Sequence, residues 1–159
     1  MKALASGHWG AWGLGLVALL VVGAVSGCGG AQRKAREISE SNLKPLAILY
    51  GQYISRNRGR PPPNEAEFRA FIKSLPPERL AALTANRDAD SLFISPRDQK
   101  PYVVVYGGAK GPPGPGGAPV VAYEQEGSRG KRFVASSMGA IDEVDEATFR
   151  QMVPSAKGP

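Results

Sequence analysis

One apolar run, beginning near Trp9 and closed by Cys28, divides this 159-residue sequence into a leader and a folding unit. Lys2 gives a short positive start, Leu14 to Val25 is built from Leu, Val, Ala and Gly, and Ser26-Gly27 supplies the small residues a signal peptidase accepts in an extended chain. Residues 1–27 therefore read as a removable export signal. The division constrains the rest severely. Cys28 is the only cysteine and His8, in the leader, the only histidine. The remaining unit can form no intrachain disulfide and no Cys/His zinc site. It must be held by its own apolar core.

The four residues Val25-Ser26-Gly27-Cys28 resemble the lipobox of bacterial lipoprotein precursors, with Val25 where Leu is favoured. The resemblance implies diacylglyceryl transfer to the Cys28 thiol, cleavage before Cys28 and N-acylation. Each buried methylene adds about 0.8 kcal/mol, and two or more chains anchor stably where one is marginal. The other reading is an uncleaved helix from Trp9 to Cys28, with Arg33, Lys34 and Arg36 favouring a cytoplasmic carboxyl side. Gly10, Gly13, Gly15 and Gly23 weigh against it, as does an apolar core below the roughly 20 residues of a span.

Cleavage at Cys28 leaves 19 basic and 14 acidic residues. No histidine remains and the one thiol carries lipid, so Ser-His-Asp and Cys-His catalysis are excluded, and no enzyme and no cofactor are expected. The basic excess draws a tethered domain toward anionic headgroups and wall polymers. Nucleic acid is not expected as a partner, since no basic-aromatic recognition motif is present.

Residues 28–32 read as a lipidated tether and 33–153 as one α+β domain. A long helix is expected from Arg33 to about Asn57, with Ile38, Leu43, Leu46, Ala47, Tyr50, Tyr53 and Ile54 on its apolar stripe. Pro45 either kinks it or lies in the first turn of a fresh helix capped by Ser41 or Asn42. After Gly59 and an extended Pro61-Pro62-Pro63, Asn64 and Glu67 form a capping-box-like start to a second helix that buries Phe68, Phe71, Ile72 and Leu75. Pro76-Pro77 ends it, and a further turn of helix is expected over 78–83. Leu92-Phe93-Ile94 is expected as a short strand, Ser95-Pro96-Arg97-Asp98 as a type I turn, and Tyr102 to Tyr106 as the strongest strand. Residues 107–119, rich in Gly and Pro, read as a flexible loop with nothing to bury. Strands follow at 120–124, 131–136 and 140–144. Asp145 caps a last helix through Met152, and 154–159 is a disordered tail.

This order, a long helix packed on a small antiparallel meander, resembles the soluble part of type II secretion pseudopilins. Tyr53 to Ile72 (YISRNRGRPPPNEAEFRAFI) is similar to their passage from helix end to short capped helix, and Arg132 to Met152 (RFVASSMGAIDEVDEATFRQM) resembles the closing strand-turn-strand of planctomycete-type pseudopilin-like proteins. Met138 stands where that pattern has Asp before Gly, and the lipobox replaces the prepilin start. The resemblance implies the fold without pilus assembly.

Four groups are candidate sites. Asp88, Asp90 and Asp98 offer oxygen ligands for calcium, without the glycine and terminal glutamate of a dedicated loop. Asp142, Glu143, Asp145 and Glu146 form the densest acidic cluster and read as caps. Tyr102, Val104 and Tyr106 should share a strand face, joined by Tyr123, as cross-strand packing or a glycan platform. Arg56, Arg58 and Arg60 suit a helix C-terminus, or phosphates and headgroups. The expected function is a lipid-anchored envelope protein with a structural or protein-interaction role. It would be held to the membrane through the lipid on Cys28, facing the periplasm, with an envelope protein or peptidoglycan as partner. Gly29 after the cysteine favours the outer membrane. The alternatives are a binding module for cell-wall glycan or a divalent cation and, last, a carboxylate hydrolase.

Overall fold

The computed structural model describes residues 28–108 and 112–155, a mixed α+β arrangement in which helices pack on a four-stranded antiparallel sheet. Residues 1–27, which hold the leader, lie outside the described residues, as do 109–111 of the Gly/Pro loop and 156–159 of the tail. The expected long helix is two helices, α1 (Cys28–Glu40) and α2 (Leu43–Arg56). Residues 28–32, expected as a tether, are already helical.

Pro45 is the reason for the break. In a continuous helix its ring would press on the Ser41 carbonyl and leave that oxygen without a donor. Here Pro45 is the third residue of α2, where a missing N–H costs nothing. The Ser41 carbonyl accepts instead from the Arg87 guanidinium at 3.2 Å. The same guanidinium donates to Asn42 Oδ1 at 2.8 Å, and Asn42 Nδ2 donates to the carbonyls of Ser91 and Ile94, each at 2.8 Å. Asn42 precedes α2 as its N-cap position, yet its side chain braces a distant loop rather than its own helix.

Helix α3 (Glu65–Lys73) starts as the sequence requires, with Asn64 Oδ1 accepting from the Glu67 amide at 2.9 Å. Phe68, Ile72 and Leu75 are buried and Phe71 is half-buried. Helix α4 (Pro77–Thr84) follows. Leu92-Phe93 is not a strand. Ser91–Phe93 is a 3₁₀ turn, which lets adjacent residues both face the core, whereas a half-buried strand would expose one of them.

Strands β1 (Val103–Val104), β2 (Val120–Tyr123), β3 (Lys131–Ser136) and β4 (Ile141–Asp145) lie in chain order. The expected long strand at 102–106 is only two residues, because its backbone groups go to three partners. The Tyr102 amide donates to Phe93 at 2.7 Å, the Val105 amide to Val121 at 2.8 Å, and the Val105 carbonyl accepts from the Tyr50 hydroxyl at 2.6 Å. A register shift between Val120 and Ala122 in β2 turns both Val121 and Ala122 toward α2, as an extra bulge residue does. Nor does the Gly/Pro stretch lack anything to bury. Pro115 and Ala118 are buried, and the Gly114 amide closes a turn on Ala118 at 2.8 Å.

Helix α2 lies on β2 and β3, and its Leu43, Leu46, Ala47 and Tyr50 pack with Phe68, Ile72, Phe133 and Ala135 into the main core. On the opposite face α5 (Glu146–Met152) sets Phe149 against Tyr123, Val134 and Val144. The contact between α2 and the β3–β4 turn is close enough to exclude a side chain. A Cβ on Gly51 would lie 2.6 Å from the Ser137 carbonyl oxygen. Gly51→Ala, which raises helix propensity by about 1 kcal/mol, is therefore expected to destabilise by about 1–3 kcal/mol through overpacking. A lower urea midpoint checks it.

Candidate functional site

The most concentrated chemistry in the described residues is a buried charge cluster around Arg97. Its guanidinium lies 3.8 Å from the centre of the Phe133 ring and faces three carboxylates. Nη2 donates to Glu143 at 2.9 Å, Nη1 lies 3.4 Å from Glu124, and Nε lies 3.7 Å from Glu37. Glu124 is fully buried, and both its oxygens are occupied. Oε1 accepts from the Ser95 hydroxyl and Oε2 from the Phe133 amide, each at 2.8 Å. Burial pushes the Glu124 pKa above its ordinary value, against the opposing pull of the Phe133 amide, Ser95 and Arg97. Glu37, on α1, is also 3.5 Å from Arg129.

This cluster contains no nucleophile beyond Ser95, whose hydroxyl is committed to Glu124 while its oxygen accepts from the Arg97 amide at 3.1 Å. A carboxylate sealed from solvent cannot meet a substrate. The arrangement is suited to joining segments: α1, the 95–100 turn, the end of β2, and β4. Sequence reading misses it because its members stand at 37, 97, 124 and 143, with no spacing to link them. The one signal is a charged Glu124 closing the apolar run Val120 to Tyr123.

The carboxylates expected to offer calcium ligands are not gathered together. Asp88 Oδ2 accepts from the amides of Asp90 at 2.9 Å and Ser91 at 3.2 Å, and so caps the 3₁₀ turn. Asp90 pairs with Arg69 at 2.7 Å. Asp98 accepts from the amides of Gly127 at 2.8 Å, Lys100 at 3.1 Å and Glu126 at 3.2 Å, stapling two turns. Burial raises the Asp98 pKa, but these three amides outweigh it and leave the carboxyl below its ordinary value. Among the described residues no three His, Cys, Asp or Glu side chains converge as a metal site.

The acidic cluster of 142–146 disperses likewise. Asp142 pairs with Lys34, Glu143 with Arg97, and Glu146 with Arg132 and Arg150 at 2.9 Å each. Asp145 caps α5 by accepting from the Thr148 amide at 2.8 Å, which holds its pKa low. Tyr102, Val104 and Tyr106 do share one face, beneath α2 and α3. Tyr123 does not join them. It pairs in register with Val103, so it points to the other face, edge-on to Phe149 at 5.0 Å. Arg56, Arg58 and Arg60, by contrast, line one exposed cleft of about 550 Å³ with Tyr53, Asn57, Pro61 and Pro63.

Removing Arg97 would leave Glu124 buried without its counter-ion. Arg97→Ala is expected to cost about 3–5 kcal/mol at pH 8. Glu124 already has a raised folded-state pKa, and losing Arg97 raises it further. The extra cost is therefore full above that value and shrinks as pH falls through it and Glu124 takes up a proton. Denaturant titrations of both proteins from pH 8 to pH 5 check the sign, because the difference between them cancels the carboxylates that do not face Arg97.

Comparison of this chain with protein-family models, with curated proteins and with solved structures gives no match.

Proposed function

We propose that this protein is a bacterial lipoprotein of the cell envelope whose domain, pseudopilin-like in fold, serves protein interaction or a structural role rather than catalysis. The observation that carries the reading is Val25-Ser26-Gly27-Cys28 at the end of an apolar run, with no second cysteine in the chain. Diacylation and N-acylation of Cys28 would supply more than the single chain that binds membranes only marginally. Among the described residues no helix is long and apolar enough to cross a membrane, and attachment through lipid is the route this reading needs. Gly29, where an Asp would resemble an inner-membrane retention signal, favours the outer membrane and a domain in the periplasm.

The non-catalytic part of the reading is supported by where the reactive groups go. The chain after Cys28 has no histidine, and its buried carboxylate and most of its acidic cluster are spent on caps and ion pairs. The pseudopilin-like part is supported by the chain order. A helix, α2, crosses the face of an antiparallel meander that follows it, with α1 preceding it in the chain. α1 meets the domain through Lys34–Asp142 and Glu37–Arg97, which would keep the domain close to its anchor.

The test is the mass and fractionation of the protein expressed in a Gram-negative host. The expected wild-type product has lost residues 1–27, carries acyl chains on Cys28 and sediments with membranes. Cys28→Ala is expected to remain uncleaved and unlabelled by palmitate. A wild-type membrane form that retains residues 1–27 without acyl chains would refute the reading.

A further inference from the structure

We propose that the cleft at the end of α2 is an anion site that takes a phosphate group through Arg56, Arg58 and Arg60. The inference stands apart from lipidation. The helix dipole accounts for Arg56 alone, since its influence is confined to the last turn and Arg58 and Arg60 lie beyond the C-cap residue Asn57. Arginines elsewhere in the domain, such as Arg36, Arg69, Arg132 and Arg150, find carboxylates. These three make no ion pair among the described residues, and no acidic side chain lines their cleft.

The cleft is also held in shape. Arg58 has φ 56° and Gly59 φ 82°, so the chain reverses through the left-handed region and Arg60 comes to line the same cleft as Arg56. A non-glycine residue in that conformation is a strained one that the surroundings must hold. Pro61 and Pro63 also line the cleft, and they belong to one segment, Pro61-Pro62-Pro63. This segment is tied to the chain beyond β1 where the Pro62 carbonyl accepts from the Gly107 amide at 2.9 Å. Tyr53 is fixed edge-on between Phe68 and Phe71, and Arg56 lies 5.5 Å above the Phe71 ring. Three unpaired planar forks around a rigid opening of about 550 Å³ suit the tetrahedral oxygens of a phosphate, which guanidinium groups bind in pairs of parallel bonds. The phosphate belongs either to an anionic phospholipid headgroup or to a soluble phosphate compound.

Calorimetry on the full chain in a non-ionic detergent separates these sources. Pyrophosphate is one titrant, monomeric dihexanoyl phosphatidylglycerol the second, and dihexanoyl phosphatidylcholine the zwitterionic control. At least one of the two anions is expected to bind, and Arg58→Ala/Arg60→Ala to weaken it about tenfold or more. Arg36→Ala/Arg150→Ala, with the same net charge, is expected to leave it unchanged. Tighter phosphatidylglycerol binding assigns a headgroup, and tighter pyrophosphate binding a soluble ligand. The proposal is overturned if neither anion binds, if phosphatidylcholine binds as well as the tighter of the two anions, or if Arg58→Ala/Arg60→Ala weakens binding no more than Arg36→Ala/Arg150→Ala.

Discussion

The position of Arg97 over Phe133 is the constraint around which the described domain is arranged. A single guanidinium faces carboxylates from α1, the end of β2 and β4 while its own backbone amide holds Ser95, which in turn holds Glu124. Such a cluster is not a strong source of net stability, because removing ions from water costs several kcal/mol per ion and their attraction only offsets it. What it contributes is discrimination. Any packing that separates these segments leaves a buried charge without a partner. The effect is greatest for α1, whose one half-buried apolar residue in contact with the core is Ile38 and whose seat is otherwise ionic. If Cys28 carries lipid, this ionic seat sets how far the domain stands from the bilayer.

The local rules of the chain are legible wherever one residue decides its neighbours. Asn64 and Asp145 cap the helices they precede, Pro45 opens a helix instead of kinking one, and β3 runs over the expected residues. The departures have other causes. Leu92-Phe93 and Tyr102 to Tyr106 have the composition of strands, but the first is taken up by local bonds (Phe93 to Asp90 and Ile94 to Ser91) and the second divides its backbone groups among Phe93, Val121 and Tyr50. Tyr123 lies on the face opposite to the expected one because it pairs with Val103, and the pairing of one strand with the next cannot be read from alternation alone. Pro115 is buried by contacts that composition does not announce. The Arg97 cluster is the extreme case, since each member reads as an ordinary surface charge until the fold brings them together.

The two kinds of charge in this protein have opposite fates. Carboxylates are largely consumed, as caps at Asp88 and Asp145 and as ion pairs at Glu124, Glu143 and Glu146. The basic excess is left at the surface, and at one place, the end of α2, it is collected into a shaped cleft. A domain with its acids occupied internally and its unpaired guanidinium groups outward is suited to meeting anions. That fits the anion site proposed at the end of α2.

A double-mutant cycle between Arg97→Met and Glu124→Gln tests most directly whether the buried cluster organises the fold. The two residues are expected to be coupled by at least about 1.5 kcal/mol in unfolding free energy, in the range found for contacting groups of one network. Effects that add to within about 0.5 kcal/mol would contradict the account, because distant and independent sites behave that way.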